Sequence, residues 1–271
     1  MTEERRVLVH PSKPALAGSV AARFITTLID TIDQYGEASV VLTGGSMGSA
    51  VLAAVNVSPA RDSIDWSRVH FWWGDERWLP RGDAERNETQ AREALLDHLS
   101  IDGSTIHAFP ASDDGIELDA AAEVYAAELA RVAASNGDGS QAYPRFDVTF
   151  LGVGPDGHIA SLFPEKSGIR EQDAVVIPVR NSPKPPPERL SLTLPVINSS
   201  VRVWLVLAGA DKASALGLTL AGASINEVPA AGVEGTVSTL FFVDAEATAE
   251  VPESLTATDL FWTAADSVDP E

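Results

Sequence analysis

The sequence predicts an α/β fold on a largely parallel sheet, and three observations carry that prediction. Short apolar runs recur along the chain, of the kind that fill strands buried on both faces. Segments with apolar residues at helical spacing lie between them. Three motifs begin where an apolar run ends: Thr43–Ser46 (TGGS), Gly74–Arg77 (GDER) and Gly154–His158 (GPDGH). If the strands are parallel, all three lie on one sheet edge, where open α/β sheets bind their ligands.

The elements follow in order. Val7–His10 reads as a short strand stopped by Pro11, and Leu16, Val20, Phe24, Leu28 and Ile32 mark an amphipathic helix from about Pro14 to Tyr35. Ala38–Leu42 is a buried strand that runs through TGGS into an apolar helix, Met47–Val55, so a helix N-terminus points its free N–H groups above the sheet. Val69–Trp73 is the third strand. The loop through Pro80, Gly82 and Asp83 leads to a helix at about Glu88–Leu99, a short strand at Ile106–Phe109 and an Ala-rich helix at Leu118–Ala134. Ser135–Tyr143 is a polar Gly/Ser loop.

Phe146–Val153 is the central strand and breaks at Gly154-Pro155-Asp156-Gly157, a turn sequence. Ala174–Val179, Leu190–Leu194, Val201–Leu207 and Thr239–Val243 read as further strands, and Ala210–Leu220 as a helix with Lys212 near its start. Between them Asn181–Pro187 carries prolines at 183, 185, 186 and 187, which hold Lys184 in an extended, semi-rigid segment. No internal repeat or composition shift sets a boundary, so residues 1–271 are expected to form one domain.

Composition narrows the function classes. The chain has no Cys, which excludes disulfides and thiolate chemistry. No apolar segment is expected to reach the roughly 18–20 residues of a membrane span, and the N-terminus lacks a signal-peptide core, so the expectation is a soluble cytoplasmic protein. The net charge of −20 argues against a nucleic-acid partner, which demands a basic face. An anionic ligand would need a local basic pocket within that acidic field. Nothing in the residues sets an oligomeric state.

The motifs then offer specific chemistry. Gly44, Gly45 and Ser46 can cradle a phosphate, or the glycines can simply allow a tight strand-to-helix turn. Arg77 suits bidentate recognition of phosphate or carboxylate, with Asp75 orienting it or meeting a sugar hydroxyl; the alternative is a self-paired surface cluster. His158 stands out because it sits on a glycine turn beside Asp156 at the end of a buried strand. An ordinary imidazole can take and return a proton near neutral pH. A Ser–His–Asp triad lacks its Gly-x-Ser-x-Gly elbow, and a metal site lacks HExxH or paired histidines, so no metal or other cofactor is expected. Arg189 and Lys212 are further cations near element starts.

These motifs together resemble the 6-phosphogluconolactonases, within the group that also holds glucosamine-6-phosphate isomerase/deaminases. The likeness runs through LTGGSMGSAVL (42–52), WGDERWLPRGDAERN (73–87), FDVTFLGVGPDGHIASLFP (146–164), SPKPPPERLSLTLPVIN (182–198) and LAGADKASAL (207–216). It implies one domain of three-layer, Rossmann-like form. It also implies hydrolysis of a small phosphorylated sugar lactone, 6-phospho-D-glucono-1,5-lactone, with His158 as general base and Asp156 beside it. Gly44, Gly45, Ser46, Asp75, Arg77, Arg189 and Lys212 would then hold sugar and phosphate, without metal or cofactor. The isomerase branch reads DGHIAFNEP; here Phe163 stands where its Glu would be, and Glu165 lies beyond Pro164. Since isomerisation needs a carboxylate to carry a carbon-bound proton, that reading is the weaker alternative. A sugar-phosphate sensor without turnover is the other.

Overall fold

The computed structural model describes residues 4–135, 141–249 and 251–256. Its strands are β1 (Glu4–His10), β2 (Ala38–Leu42), β3 (Val69–Trp73), β4 (Asp75–Arg77), β5 (Val148–Gly152), β6 (Val176–Val179), β7 (Arg189–Leu192), β8 (Arg202–Leu207) and β9 (Ser238–Asp244). The main helices are α1 (Lys13–Tyr35), α2 (Gly45–Val57), α3 (Asn87–Ala94), α4 (Leu118–Ser135), α5 (Leu194–Asn198) and α6 (Ala213–Leu220). Six strands form a parallel sheet in the order β1-β9-β8-β5-β2-β3. The expected mostly parallel α/β fold is the one observed.

Helix α1 starts where Ser12 accepts the Ala15 N–H and Pro14 occupies the first turn, and it ends at Gly36 with φ 86°. By length and composition it is long and apolar enough to cross a membrane, contrary to the expectation that no segment is. Its apolar side packs instead on the sheet. Leu16, Val20, Phe24 and Leu28 are fully buried, and the Phe24 ring meets Phe150 edge-on at 5.1 Å. In-register pairs of a parallel sheet share a face, so Val41 and Trp72 point opposite to Val40 and Phe71. Trp72 meets Tyr125 of α4, which makes α4 the layer across the sheet from α1 and α2.

A second sheet of three antiparallel strands, in the order β4-β7-β6, was not anticipated. Gly74 joins the two sheets: its N–H donates to Leu42 O of β2, and its carbonyl accepts from Leu192 N of β7. GDER is therefore a strand of the small sheet, not a loop. The expected strand Leu190–Leu194 stops at Leu192, because Pro195 opens α5 behind Thr193. The helix expected at Glu88–Leu99 ends at Ala94, with a 3₁₀ turn at Leu96–His98. Ile106–Phe109 contributes a single bridge to Phe71. Most of the polar loop Ser135–Tyr143, residues 136–140, lies outside the described residues.

Strand β3 is tied to α4 by a chain of titratable groups. His70 Nδ1 and His107 Nε2 are 3.0 Å apart, His107 Nδ1 lies 2.8 Å from Glu128, Arg131 pairs with Glu128, and Glu37 faces His70 at 3.8 Å. Burial pulls both imidazoles below the ordinary histidine value; Arg131 adds to this, while Glu37 opposes it at His70 and Glu128 at His107. The pair is neutral when folded, whereas the unfolded chain takes up protons below about pH 6.5. Its stabilising effect is therefore present above that pH and lost as pH falls through it. Melting temperature is expected to drop from about pH 7.5 to about pH 5.5, and to drop less in His107→Gln. Parallel pH curves for the two proteins would show that the pair does not titrate with folding.

Candidate active site

The carboxyl ends of β2, β3, β5 and β8 open on a cleft of about 300 Å³. It lies between the parallel sheet and the small antiparallel one. Gly44, Gly45, Ser46, Asp75, Arg77, His158, Arg189 and Lys212 all line it, and so do Asn87 and Lys184. Asp156 stands behind His158, outside the cleft wall. The three strand-end motifs thus meet as expected, because β5, β2 and β3 are neighbours.

His158 follows the turn Gly154–Gly157, closed by Gly157 N–H to Gly154 O and Gly154 N–H to His158 O. A side chain at Gly154 would strike the imidazole, and Gly157 has φ 80°, so both positions favour glycine. The imidazole is largely buried, and its Nδ1 lies 2.5 Å from Asp156 Oδ1. Burial pushes the Asp156 carboxyl up, but the hydrogen bond and charge of His158 and the Lys184 ammonium together hold it far below the usual carboxylate range. An ionised carboxylate can only accept, so Nδ1 carries the hydrogen, and in the neutral ring the lone pair is then on Nε2. Lys184 Nζ sits 3.4 Å from both Asp156 Oδ1 and His158 Nδ1.

Lys184 is held there by Arg189. This guanidinium donates from Nε to Pro186 O and from Nη2 to Lys184 O and Pro185 O, and so pins the proline-rich segment from beneath. Burial pulls Arg189 below the ordinary guanidinium value, with Asp75, 4.0 Å from Nη1, opposing. Of the two roles expected for Asp75, orienting Arg77 or meeting a sugar hydroxyl, the first has no contact here. Its carboxylate accepts from Ser161 Oγ at 2.7 Å and Asn87 Nδ2 at 3.1 Å. The Arg77 guanidinium instead donates to Glu85 O. Lys212 closes the 3₁₀ turn Ala210–Lys212 and pairs with Asp211 at 3.1 Å.

Two residues escaped the sequence reading. Arg86 is fully buried; it donates to Leu79 O, Pro110 O and Phe109 O and faces Glu88 and Glu76. Glu76, the second acid of GDER, caps the start of α3 by accepting from Asn87 N and Glu88 N, and also accepts from Arg77 N. Burial pushes its carboxyl up to about 7, against the pull of Arg86 and those N–H groups. Asn87, the other missed residue, bonds the Asp75 carbonyl and carboxylate. Its Oδ1 lies 1.8 Å from where a Cβ at Gly44 would be. Glycine at 44 is therefore demanded by Asn87, whatever else the turn binds. At Gly45 the expectation of a free N–H is corrected, because it donates to Gln90 Oε1 at 3.0 Å. Among the described residues no cluster of three or more His, Asp or Glu is arranged to hold a metal ion.

A parallel α/β sheet with an imidazole–carboxylate pair at its carboxyl edge, and several cations along the same cleft, is the layout of an α/β enzyme with a site for a small anionic ligand. The comparisons agree. The family described as "Glucosamine-6-phosphate isomerases/6-phosphogluconolactonase" matches residues 11–242, and the chain belongs to it. A 6-phosphogluconolactonase of Streptomyces coelicolor is 51% identical over 94% of this chain and 98% of its own length. One of Mycobacterium leprae is 44% identical over 91% and 98%. The crystal structure of a 6-phosphogluconolactonase from Thermotoga maritima superposes with a TM-score of 0.75 at 26% identity, covering 89% of this chain and all of that one.

Proposed function

We propose that this chain hydrolyses 6-phospho-D-glucono-1,5-lactone to 6-phosphogluconate, the second step of the oxidative pentose phosphate pathway, with His158 as general base. The observation that carries the reading is the imidazole itself: Nδ1 is engaged by Asp156, and the ring lies in a cleft lined by Arg77, Lys184, Arg189 and Lys212. The names of the relatives point to the same reaction.

Nε2 takes a proton from water as its oxygen adds to the lactone carbonyl. The tetrahedral intermediate collapses by breaking the bond from the carbonyl carbon to the ring oxygen. The imidazolium returns its proton to that oxygen, leaving a hydroxyl and a carboxylic acid that ionises. Asp156 keeps the tautomer and steadies the charge while His158 holds the proton. A lactone is already a reactive ester, so positioning and charge stabilisation are the main demands. Arg77, Arg189, Lys212 and the turn at Gly44, Gly45 and Ser46 hold the phosphate, and Asp75 faces the sugar.

The cleft draws residues from Thr43 to Lys212, which supports a single-domain reading of residues 1–271. A cytoplasmic location belongs to the same proposal, because phosphorylated sugars do not pass membranes freely. The test is hydrolysis of fresh lactone above its spontaneous rate. Acceleration proportional to protein concentration is expected. A rate equal to background sinks the reading, and ammonia release from glucosamine 6-phosphate in its place assigns the isomerase/deaminase chemistry.

A further inference from the structure

Phe163 is buried to 1% exposure, and its ring lies against two side chains of the cleft, His158 and Arg189. Its centroid is 4.6 Å from that of the His158 imidazole, with the planes 32° apart. The Arg189 guanidinium carbon lies 5.7 Å from the same centroid. The imidazole is held by one hydrogen bond, from Nδ1 to Asp156 at 2.5 Å, and Lys184 Nζ approaches the same atom to 3.4 Å. A ring tethered at one atom can rock about it, and Nε2, across the ring, then sweeps the arc. A contact on the face of the imidazole stops that motion.

Arg189 needs no such help, since three backbone carbonyls already hold it. Phe163 also borders a separate cavity of about 290 Å³. A smaller side chain would leave the imidazole room to tilt. The aromatic face has a second use. It favours the imidazolium formed when His158 takes a proton, because the negative face of a ring attracts a cation within about 6 Å.

We propose that Phe163 is a positioning residue for the hydrolysis, fixing the plane of the His158 imidazole so that Nε2 stays aimed at the water. The proposal rests on the reaction assigned above. Phe163→Leu keeps bulk and apolarity but removes the ring face, and Phe163→Tyr keeps the face. In the full chain, Phe163→Leu is expected to lower kcat by about 10- to 100-fold with KM within about 3-fold, since small misplacements of a reacting group cost on that order. Phe163→Tyr is expected to stay within about 3-fold of wild-type kcat. Imidazole signals of His158 in ¹⁵N-correlated spectra, assigned by their loss in His158→Gln, are expected to be sharp in wild type and Tyr and broadened in Leu.

Should the Leu protein not fold at the assay temperature, Phe163→Met supplies the same comparison. Wild-type kcat in the Leu or Met protein overturns the proposal. A folded Tyr protein as slow as Leu, or a fall in kcat matched by lost folded protein in thermal melts, also overturns it. The imidazole spectrum requires no substrate. If wild type fails to hydrolyse the lactone, the assigned reaction falls, while sharp signals in Leu are what would sink the positioning role.

Discussion

His158→Ala is expected to lower kcat for lactone hydrolysis by about 10²- to 10⁴-fold, the range a positioned general base supplies. The argument rests on geometry. Asp156 is ionised and hydrogen-bonded to Nδ1, which leaves Nε2 as the ring nitrogen that can take the proton of a water. Asp75, the other carboxylate on the cleft wall, is already engaged by Ser161 and Asn87 and does not replace it. The alanine protein is expected to melt within a few degrees of wild type, because the backbone bonds that shape the turn do not involve the imidazole. KM is expected to change little, since the cations of the cleft remain in place. Stopped-flow or pH-indicator assays that subtract spontaneous hydrolysis measure this directly. A variant with more than about one tenth of wild-type kcat would remove His158 from the role of base.

Arg86→Ala is expected to carry a large stability cost, about 3–5 kcal/mol, the range for breaking a buried ion pair by removing one partner. Three backbone carbonyls would lose their donor, and the buried Glu76 carboxyl would lose its guanidinium, while Glu88 would keep Arg92. Arg86→Lys is not expected to rescue it, because an ammonium cannot span that fork of acceptors. Denaturant unfolding reads the effect as a lower midpoint at unchanged slope. A loss below about 1 kcal/mol would mean that the cluster relaxes around the missing charge. Activity is expected to fall as well, because Glu76 fixes the start of α3 and so places Asn87 against Gly44 and Asp75.

Much of the fold was legible because strands buried on both faces leave an unbroken apolar run. Ala38–Leu42 and Val69–Trp73 were read to the residue for that reason. The small sheet left no comparable trace. A strand reading Asp-Glu-Arg becomes a strand only through its partners Ser191, Leu190 and Arg189, which lie more than a hundred residues along the chain. Pro195 was available as a helix-start signal, but the apolar run before it hid the break at Thr193.

In the site, the strand-end rule gathered Gly44–Ser46, Asp75, Arg77 and His158 onto one cleft because parallel neighbours bring their carboxyl ends together. It did not find Asn87 or Arg86. A single Asn or Arg within a polar loop has no periodicity to betray it, and both matter through contacts made across the fold. Gly44 shows the same limit from the other side. Its glycine was legible, but the atom that requires it, Asn87 Oδ1, was not.

Gly74 gives the architecture a further meaning. One residue is shared by the ladders of both sheets, through Leu42 O on one side and Leu192 N on the other. The imidazole is mounted on the large sheet; Arg77 and Arg189 are mounted on the small one. The two walls are therefore coupled: a backbone change at Gly74 would move the cations of one wall against the imidazole of the other.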